Sequence, residues 1–191
     1  MFIRYKDKFP GLATLWDEYS CFQERLELSA KQLLLKEGSH ARYYYAVEKG
    51  AVRAFLISAS GEDKTVQFFF EGDGLSSFES FMREVPSAFT LETLEPTVVI
   101  RIPREKVMDL LSQLRSSPEY MDILLYIFSD RQIHYMQEFV SFLRDSPLQR
   151  YENLIRERSF IPQRVAQHYI ASYLGISAVH LSRIKAKLAG R

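Results

Sequence analysis

The sequence predicts an α+β chain: an N-terminal double-stranded β-helix of the jelly-roll kind, a long helix, and a C-terminal all-α helix-turn-helix. Three observations carry this expectation. Short apolar runs, the first of them separated by glycines at a regular interval, continue as far as residue 102, apolar residues then switch to helical spacing, and residues 167–188 hold two helical runs around Gly175. With 47% of 191 residues apolar, the chain has material for one large or two small cores, which excludes a disordered polymer.

In the β region, Gly38, Gly50, Gly61 and Gly72 recur at spacings of 12, 11 and 11. Between them Leu33 to Leu35, Tyr43 to Val47, Val52 to Ile57 and Thr65 to Phe70 are rich in β-branched, aromatic and aliphatic residues, the composition of strands. Ser60-Gly61-Glu62-Asp63 reads as a hairpin connection. After Gly74, Phe89 to Leu94 and Thr97 to Ile102 continue the pattern across Glu95-Pro96, a turn signal that no central strand tolerates.

Pro103 suits the first turn of a helix, and Val107, Leu110, Leu111 and Leu114 follow at helical intervals. The pattern pauses at Ser116-Ser117-Pro118 and resumes to about Leu143. Met121, Leu124, Leu125, Phe128, Met136, Phe139, Val140 and Leu143 then put apolar groups on more than one face of a helix roughly 40 Å long. A small β domain cannot cover all of that, so the spare face is expected to bury itself against a second copy; two shorter helices packed within one chain are the alternative. Asp145-Ser146-Pro147 marks a boundary, Pro147 and Leu148 open a helix to about Glu157, and Pro162 opens the next. The expected domains are residues 1–103, 104–145 and 146–191.

The charge is divided along the same line. Residues 1–150 carry 18 Lys/Arg against 22 Asp/Glu, a net −4, while residues 151–191 carry 7 against 2, a net +5. A basic module on an acidic body is what a chain needs when only its tail meets a polyanion. In that tail Ile170 and Leu174 stand one turn apart, Ala171 is small enough for close helix approach, Gly175 can turn the chain, Ser177 can cap the next helix, and Leu181, Ile184 and Leu188 return it to the core. Val179, His180, Ser182, Arg183 and Lys187 are left facing outward. A major-groove reader presents such residues to base edges and phosphates, so Arg183 is the leading base or phosphate contact, Val179, His180 and Ser182 its neighbours, and Lys185, Lys187 and Arg164 phosphate contacts.

Nearly end to end, the chain resembles the Crp/Fnr family of transcriptional regulators. Leu33-Leu-Leu-Lys-Glu-Gly38, Tyr44-Tyr-Ala-Val-Glu-Lys-Gly50 and Phe70-Glu-Gly-Asp73 resemble turns of that family's cyclic-nucleotide-binding roll. Tyr169-Ile-Ala-Ser-Tyr-Leu-Gly-Ile-Ser177 with Leu181-Ser-Arg-Ile184 resembles its DNA-binding motif. The resemblance implies a homodimer joined through the long helix, reading a palindromic operator in double-stranded DNA, with RNA polymerase as a candidate partner and a small effector lodged in the roll, while the lack of a membrane run or secretory signal in the sequence places the expected location in the cytoplasm. It implies effector contacts at Glu79, Ser80, Arg83 and Ser87.

Two departures shape the expectation. Pro86-Ser87-Ala88 stands where nucleotide-binding members carry an arginine-serine pair, and proline offers no charged donor to a phosphate, so the effector is expected not to be cyclic AMP. Ala178 and Val179 replace the arginine and glutamate that many members place after the cap, which leaves methyl contacts and DNA shape a larger share of the readout. The family's C-terminal β wing is also expected to be missing after Arg191.

No certain cofactor is implied. A cupin-like metal enzyme would need clustered ligands, yet among four histidines only His40 falls in the β region and no His-x-His spacing exists. With Cys21 as the sole cysteine, a thiolate zinc site or all-cysteine cluster within one chain is excluded. No run approaches the ~20 apolar residues of a membrane helix, and Met1 to Pro10 does not read as a secretory signal. The remaining alternative is a ligand-sensing or protein-binding adaptor of the same fold that does not bind DNA.

Overall fold

The computed structural model describes residues 8–115 and 119–190. Its elements run α1 (Pro10–Glu18), a 3-10 turn (Tyr19–Phe22), β1 (Glu24–Leu28), β2 (Leu33–Leu35), β3 (Tyr43–Lys49), β4 (Val52–Ile57), β5 (Asp63–Phe69), β6 (Gly74–Leu75), α2 (Phe78–Arg83), β7 (Thr90–Thr93) and β8 (Thr97–Pro103). There follow α3 (Arg104–Leu114), α4 (Tyr120–Arg144), α5 (Pro147–Glu157), α6 (Ile161–Arg164), α7 (Gln167–Tyr173) and α8 (Ala178–Ala189). The strands form two four-stranded sheets, ordered β1-β8-β3-β6 and β2-β7-β4-β5, which is the jelly-roll arrangement expected.

The expected strands are present with ends moved by a residue or two. β1 is an addition: Glu24–Leu28 pairs antiparallel with β8, setting Glu24 opposite Arg101 and Leu26 opposite Val99. Its charged residues sit on the exposed side of an edge strand, where they discourage pairing with another chain. The segment between Gly74 and Phe89 also holds the short helix α2. Ser116-Ser117-Pro118 and Met1 to Asp7 lie outside the described residues, while α4 runs unbroken over 25 residues, about 37 Å.

Two compact units make up the chain: Met1–Ala54 with Phe68–Arg131, and Phe55–Gln67 with Gln132–Arg191. Inside the first, Ala46, Val47, Val52, Leu91 and Val99 are sealed between the strands, and Ile123 and Ile127 bring the start of α4 onto the same core with Val107, Leu110 and Leu114. Burial of that apolar surface is the main stabilising term.

Two features of this unit depend on single residues. Gly50 turns β3 into β4 at φ +99°, and a Cβ there would lie 2.7 Å from Thr97 Cα and 2.8 Å from the Pro96 carbonyl oxygen. Arg53, only 3% exposed in its side chain, is paired with Glu92 on β7 through Nη2 at 3.0 Å and Nε at 3.1 Å. Removing Glu92 would leave a buried guanidinium without its carboxylate, which costs far more than losing a surface pair. Glu92→Ala should therefore lower stability by about 3 kcal/mol in denaturant melts, and Gly50→Ala by at least ~1 kcal/mol; wild-type midpoints in either variant would contradict this packing.

A candidate nucleic-acid interface at the second helical pair

The C-terminal helices are built around a small apolar core of their own. Tyr151 and Leu154 from α5, Ile161 and Val165 around α6, Ile170, Ala171 and Leu174 from the α7 region, and Leu181 and Ile184 from α8 are all buried. Ser146 starts α5 with a reciprocal cap: its hydroxyl accepts from the Gln149 N–H while the Gln149 side chain accepts from the Ser146 N–H. Ser177 starts α8 with a one-way cap, its hydroxyl accepting from the His180 N–H at 3.2 Å.

Between α7 and α8 the chain reverses at Gly175, whose φ of +68° is the left-handed conformation that the sequence pattern requires. The Gly175 N–H donates to the Ser172 carbonyl and the Ile176 N–H to the Ala171 carbonyl, both at 3.0 Å. Ile176, expected to plug the corner, is half-buried. A Cβ at Gly175 would meet the Phe142 ring at 2.8 Å, a contact that ring can yield, so it is the positive φ that makes any other residue strained there.

The outward residues are where the spacing places them. Val179 is 63% exposed, and His180, Ser182, Arg183 and Lys187 are exposed beside it, with Leu181 and Ile184 turned inward. Lys185 is half-buried, and Arg164 lies on α6 with its guanidinium 5.6 Å from the Phe160 ring. The free face of α8 is therefore short, polar and basic, with one apolar methyl bearer near its N-terminus. That is the equipment for hydrogen bonding to base edges, a thymine-methyl contact and phosphate neutralisation.

Sequence reasoning missed what holds this pair in place. Arg150 on α5 donates through Nη2 to the Leu174 carbonyl at 2.9 Å and through Nη1 to the Phe142 and Asp145 carbonyls at 3.0 and 3.2 Å, with its guanidinium 4.7 Å from the Phe142 ring. It thus supplies the orphan carbonyls at the ends of α4 and α7. The Tyr173 hydroxyl donates to Glu138 on α4, and burial with the nearby Glu138 charge pushes its pKa far up, so it stays a neutral donor. Asp145 accepts from Arg144, Ser141 and Asn153, and the Arg144 hydrogen bond, then Ser141, holds its carboxyl below the ordinary range.

In the roll, the four residues implied as effector contacts are not brought to one point. Glu79 and Arg83 pair with each other at 3.2 Å on the exposed face of α2. Ser80 is buried and accepts from the Ala41 N–H at 2.9 Å, and the Ser87 hydroxyl is buried and donates to the Phe89 carbonyl at 2.7 Å. Two cavities open nearby. One of ≈310 Å³ is lined by Lys36, His40, Arg42, Tyr43, Tyr45 and Arg101, and one of ≈540 Å³ by Ser80, Glu84, Arg104 and neighbours. Burial pushes the Tyr45 phenol up to about 12, so it stays neutral and donates to the Leu34 carbonyl. Among the described residues there is no cluster of His, Cys, Asp or Glu able to hold a metal, and no helix is long and apolar enough to cross a membrane.

Known proteins resemble this architecture. Residues 25–114 match the cyclic nucleotide-binding domain family. The regulatory protein HlyX of Actinobacillus pleuropneumoniae is 23% identical over 174 residues, covering 85% of this chain and 70% of that protein. The fumarate and nitrate reduction regulatory protein of Vibrio cholerae is 24% identical over 165 residues, covering 80% of this chain and 64% of that protein. Among solved structures, FixK2 from Bradyrhizobium japonicum aligns at a TM-score of 0.72 with 17% identity over 88% of this chain and 85% of that one. The c-di-GMP responsive global regulator CLP of Xanthomonas campestris aligns at 0.72 with 18% identity over 93% and 92%. Jelly roll, long helix and terminal helical pair are thus one shared fold.

Two outcomes check this geometry. Gly175→Ala should lower the melting temperature of the C-terminal unit; an unchanged melt would contradict the closed turn. Because the folded Asp145 pKa lies below its ordinary 3.8, the stability it contributes is present above that value and lost as the pH falls through the folded pKa. The stability gap between wild type and Asp145→Asn should therefore close on the acid limb of a pH titration; a gap that stays constant there would contradict the assignment.

Proposed function

We propose that the chain is a transcriptional regulator of the Crp/Fnr type and acts as a homodimer whose two α8 helices enter successive major grooves of a roughly palindromic operator. The observation that carries this is the arrangement on α8: Leu181 and Ile184 sealed inside while Val179, His180, Ser182, Arg183 and Lys187 face outward beyond a glycine turn. Arg183 makes the base or phosphate contact, its α8 neighbours refine it, and Lys185, Lys187 and Arg164 steer the module onto phosphate. The reading module is residues 146–191, and its net positive charge supplies the attraction.

Dimerisation is supported by α4. Met121, Leu125, Phe128, Tyr135, Phe139 and Phe142 follow one another at spacings of three and four, with Gln132 completing the row, and all six apolar residues are exposed in the single chain. A stripe of that length and repeat matches a parallel coiled-coil seam, and water contact over so much apolar surface is unfavourable for a monomer. Two copies packed along it would set the two reading modules at a fixed separation.

In this reading the roll senses a small effector other than cyclic AMP, the cavity lined by Ser80, Glu84 and Arg104 being the candidate pocket while Glu79, Arg83 and Ser87 lie outside its lining, and transcription responds through contact with RNA polymerase. The protein is cytoplasmic and not an enzyme. That the relatives it matches are named as regulatory proteins supports this.

Duplexes enriched from a random-sequence pool by the wild-type chain test the reading directly. Arg183→Ala should bind the enriched duplex about 5- to 100-fold more weakly, with its thermal melt unchanged; wild-type affinity would remove Arg183 from the interface. Phe139→Lys should shift the chain toward the monomer in sedimentation, and an unchanged mass would rule out the α4 seam.

A further inference from the structure

The C-terminal end of α7 is held at four consecutive residues by different parts of the second unit. Gly175 abuts Phe142, the Leu174 carbonyl takes Arg150, and Tyr173 reaches Glu138. The fourth anchor is Ser172, which bonds to the β4–β5 hairpin more than a hundred residues earlier. The Thr65 N–H donates to Ser172 Oγ at 2.9 Å, and the Ser172 hydroxyl donates to the Asp63 carbonyl at 2.8 Å.

The chemistry of that contact is specific. β5 is the edge of its sheet, and the N–H of Thr65 and the carbonyl of Asp63, two residues apart on one side of the strand, both meet the Ser172 hydroxyl. One hydroxyl that both accepts and donates serves both groups. The hairpin that carries these groups is itself held by internal bonds. Its tip is closed by Ser58 N–H to the Glu62 carbonyl at 2.9 Å, Gly61 N–H to the Ser58 carbonyl at 2.8 Å and a Glu62–Lys64 ion pair at 3.0 Å. Farther along β5, Gln67 accepts from the Tyr135 hydroxyl of α4 at 3.1 Å. The hairpin therefore touches both the long helix and the first helix of the reading pair, and the same two strands run back into the roll.

We propose that Ser172 is a positioning residue: through the edge of β5 it fixes the direction of α7, and with it α8, so that the two reading helices of a dimer keep one separation. The bond does not cover α8, whose outward residues are exposed, so its role is to aim the module and not to block it. This inference rests on the DNA-reading dimer proposed above.

The test compares wild type, Ser172→Ala and Ser172→Thr on three probes: the enriched duplex, the same duplex with base pairs inserted between its half-sites, and a single half-site. Wild type should favour the enriched spacing. Ser172→Ala should lose about fivefold or more of that preference, the worth of one hydrogen bond, while its half-site affinity stays at the wild-type value. Ser172→Thr, which keeps the hydroxyl, should restore the preference, and the Thr65 amide should exchange with solvent faster only in the alanine variant. An alanine variant with full spacing preference would overturn the proposal. So would equal loss on the half-site, which would mean that Ser172 only keeps the module folded. If the wild-type chain enriches no duplex, the DNA reading itself fails and this inference falls with it, whatever the Thr65 exchange shows.

Discussion

The left-handed turn at Gly175, pressed against the Phe142 ring, is the constraint on which the reading of this protein depends. It fixes where α7 stops and α8 begins, and its positive φ is one that other residues adopt only under strain. Ser177 can then cap α8, Leu181 and Ile184 can face the small C-terminal core, and the opposite side of α8 is left for something outside the chain. Arg150 supports the turn by occupying carbonyls at the ends of α4 and α7, groups that helix termini otherwise leave unsatisfied.

Electrostatics and packing divide the work between the two units. The first is held by apolar burial between antiparallel strands, with the buried ion pair Arg53–Glu92 as a demanding polar element. The second is smaller and depends more on directed hydrogen bonds: the Ser146–Gln149 cap, the Arg150 fork, Tyr173 on Glu138 and Asp145 within its ring of donors. A module of few buried residues needs such fixings to keep one orientation, and orientation is what a groove-reading helix requires.

Local signals made much of this legible before any coordinates. Glycine turns at spacings of 12, 11 and 11 delimit strands because each must adopt a backbone conformation that other residues resist, and Gly50 and Gly175 both take positive φ. The α5 and α8 starts followed from Pro147 and Ser177. What stayed hidden was either short or non-local. Glu24–Leu28 holds three charged residues among only five positions, and α2 spans six without a side-chain cap. Arg150 and Ser172 act on groups from 5 to more than 100 residues away, so neither spacing nor composition could mark them. The implied effector contacts came from resemblance alone, and Glu79, Ser80, Arg83 and Ser87 occupy different surroundings in the roll.

Hydroxyl-radical footprinting of the intact chain on a duplex that it has itself enriched would show whether α8 reads DNA. Two protected patches are expected, about one helical turn apart and centred on the major groove, both fading as salt is raised because phosphate neutralisation releases counterions. Uniform cleavage along the duplex at low salt would contradict that reading.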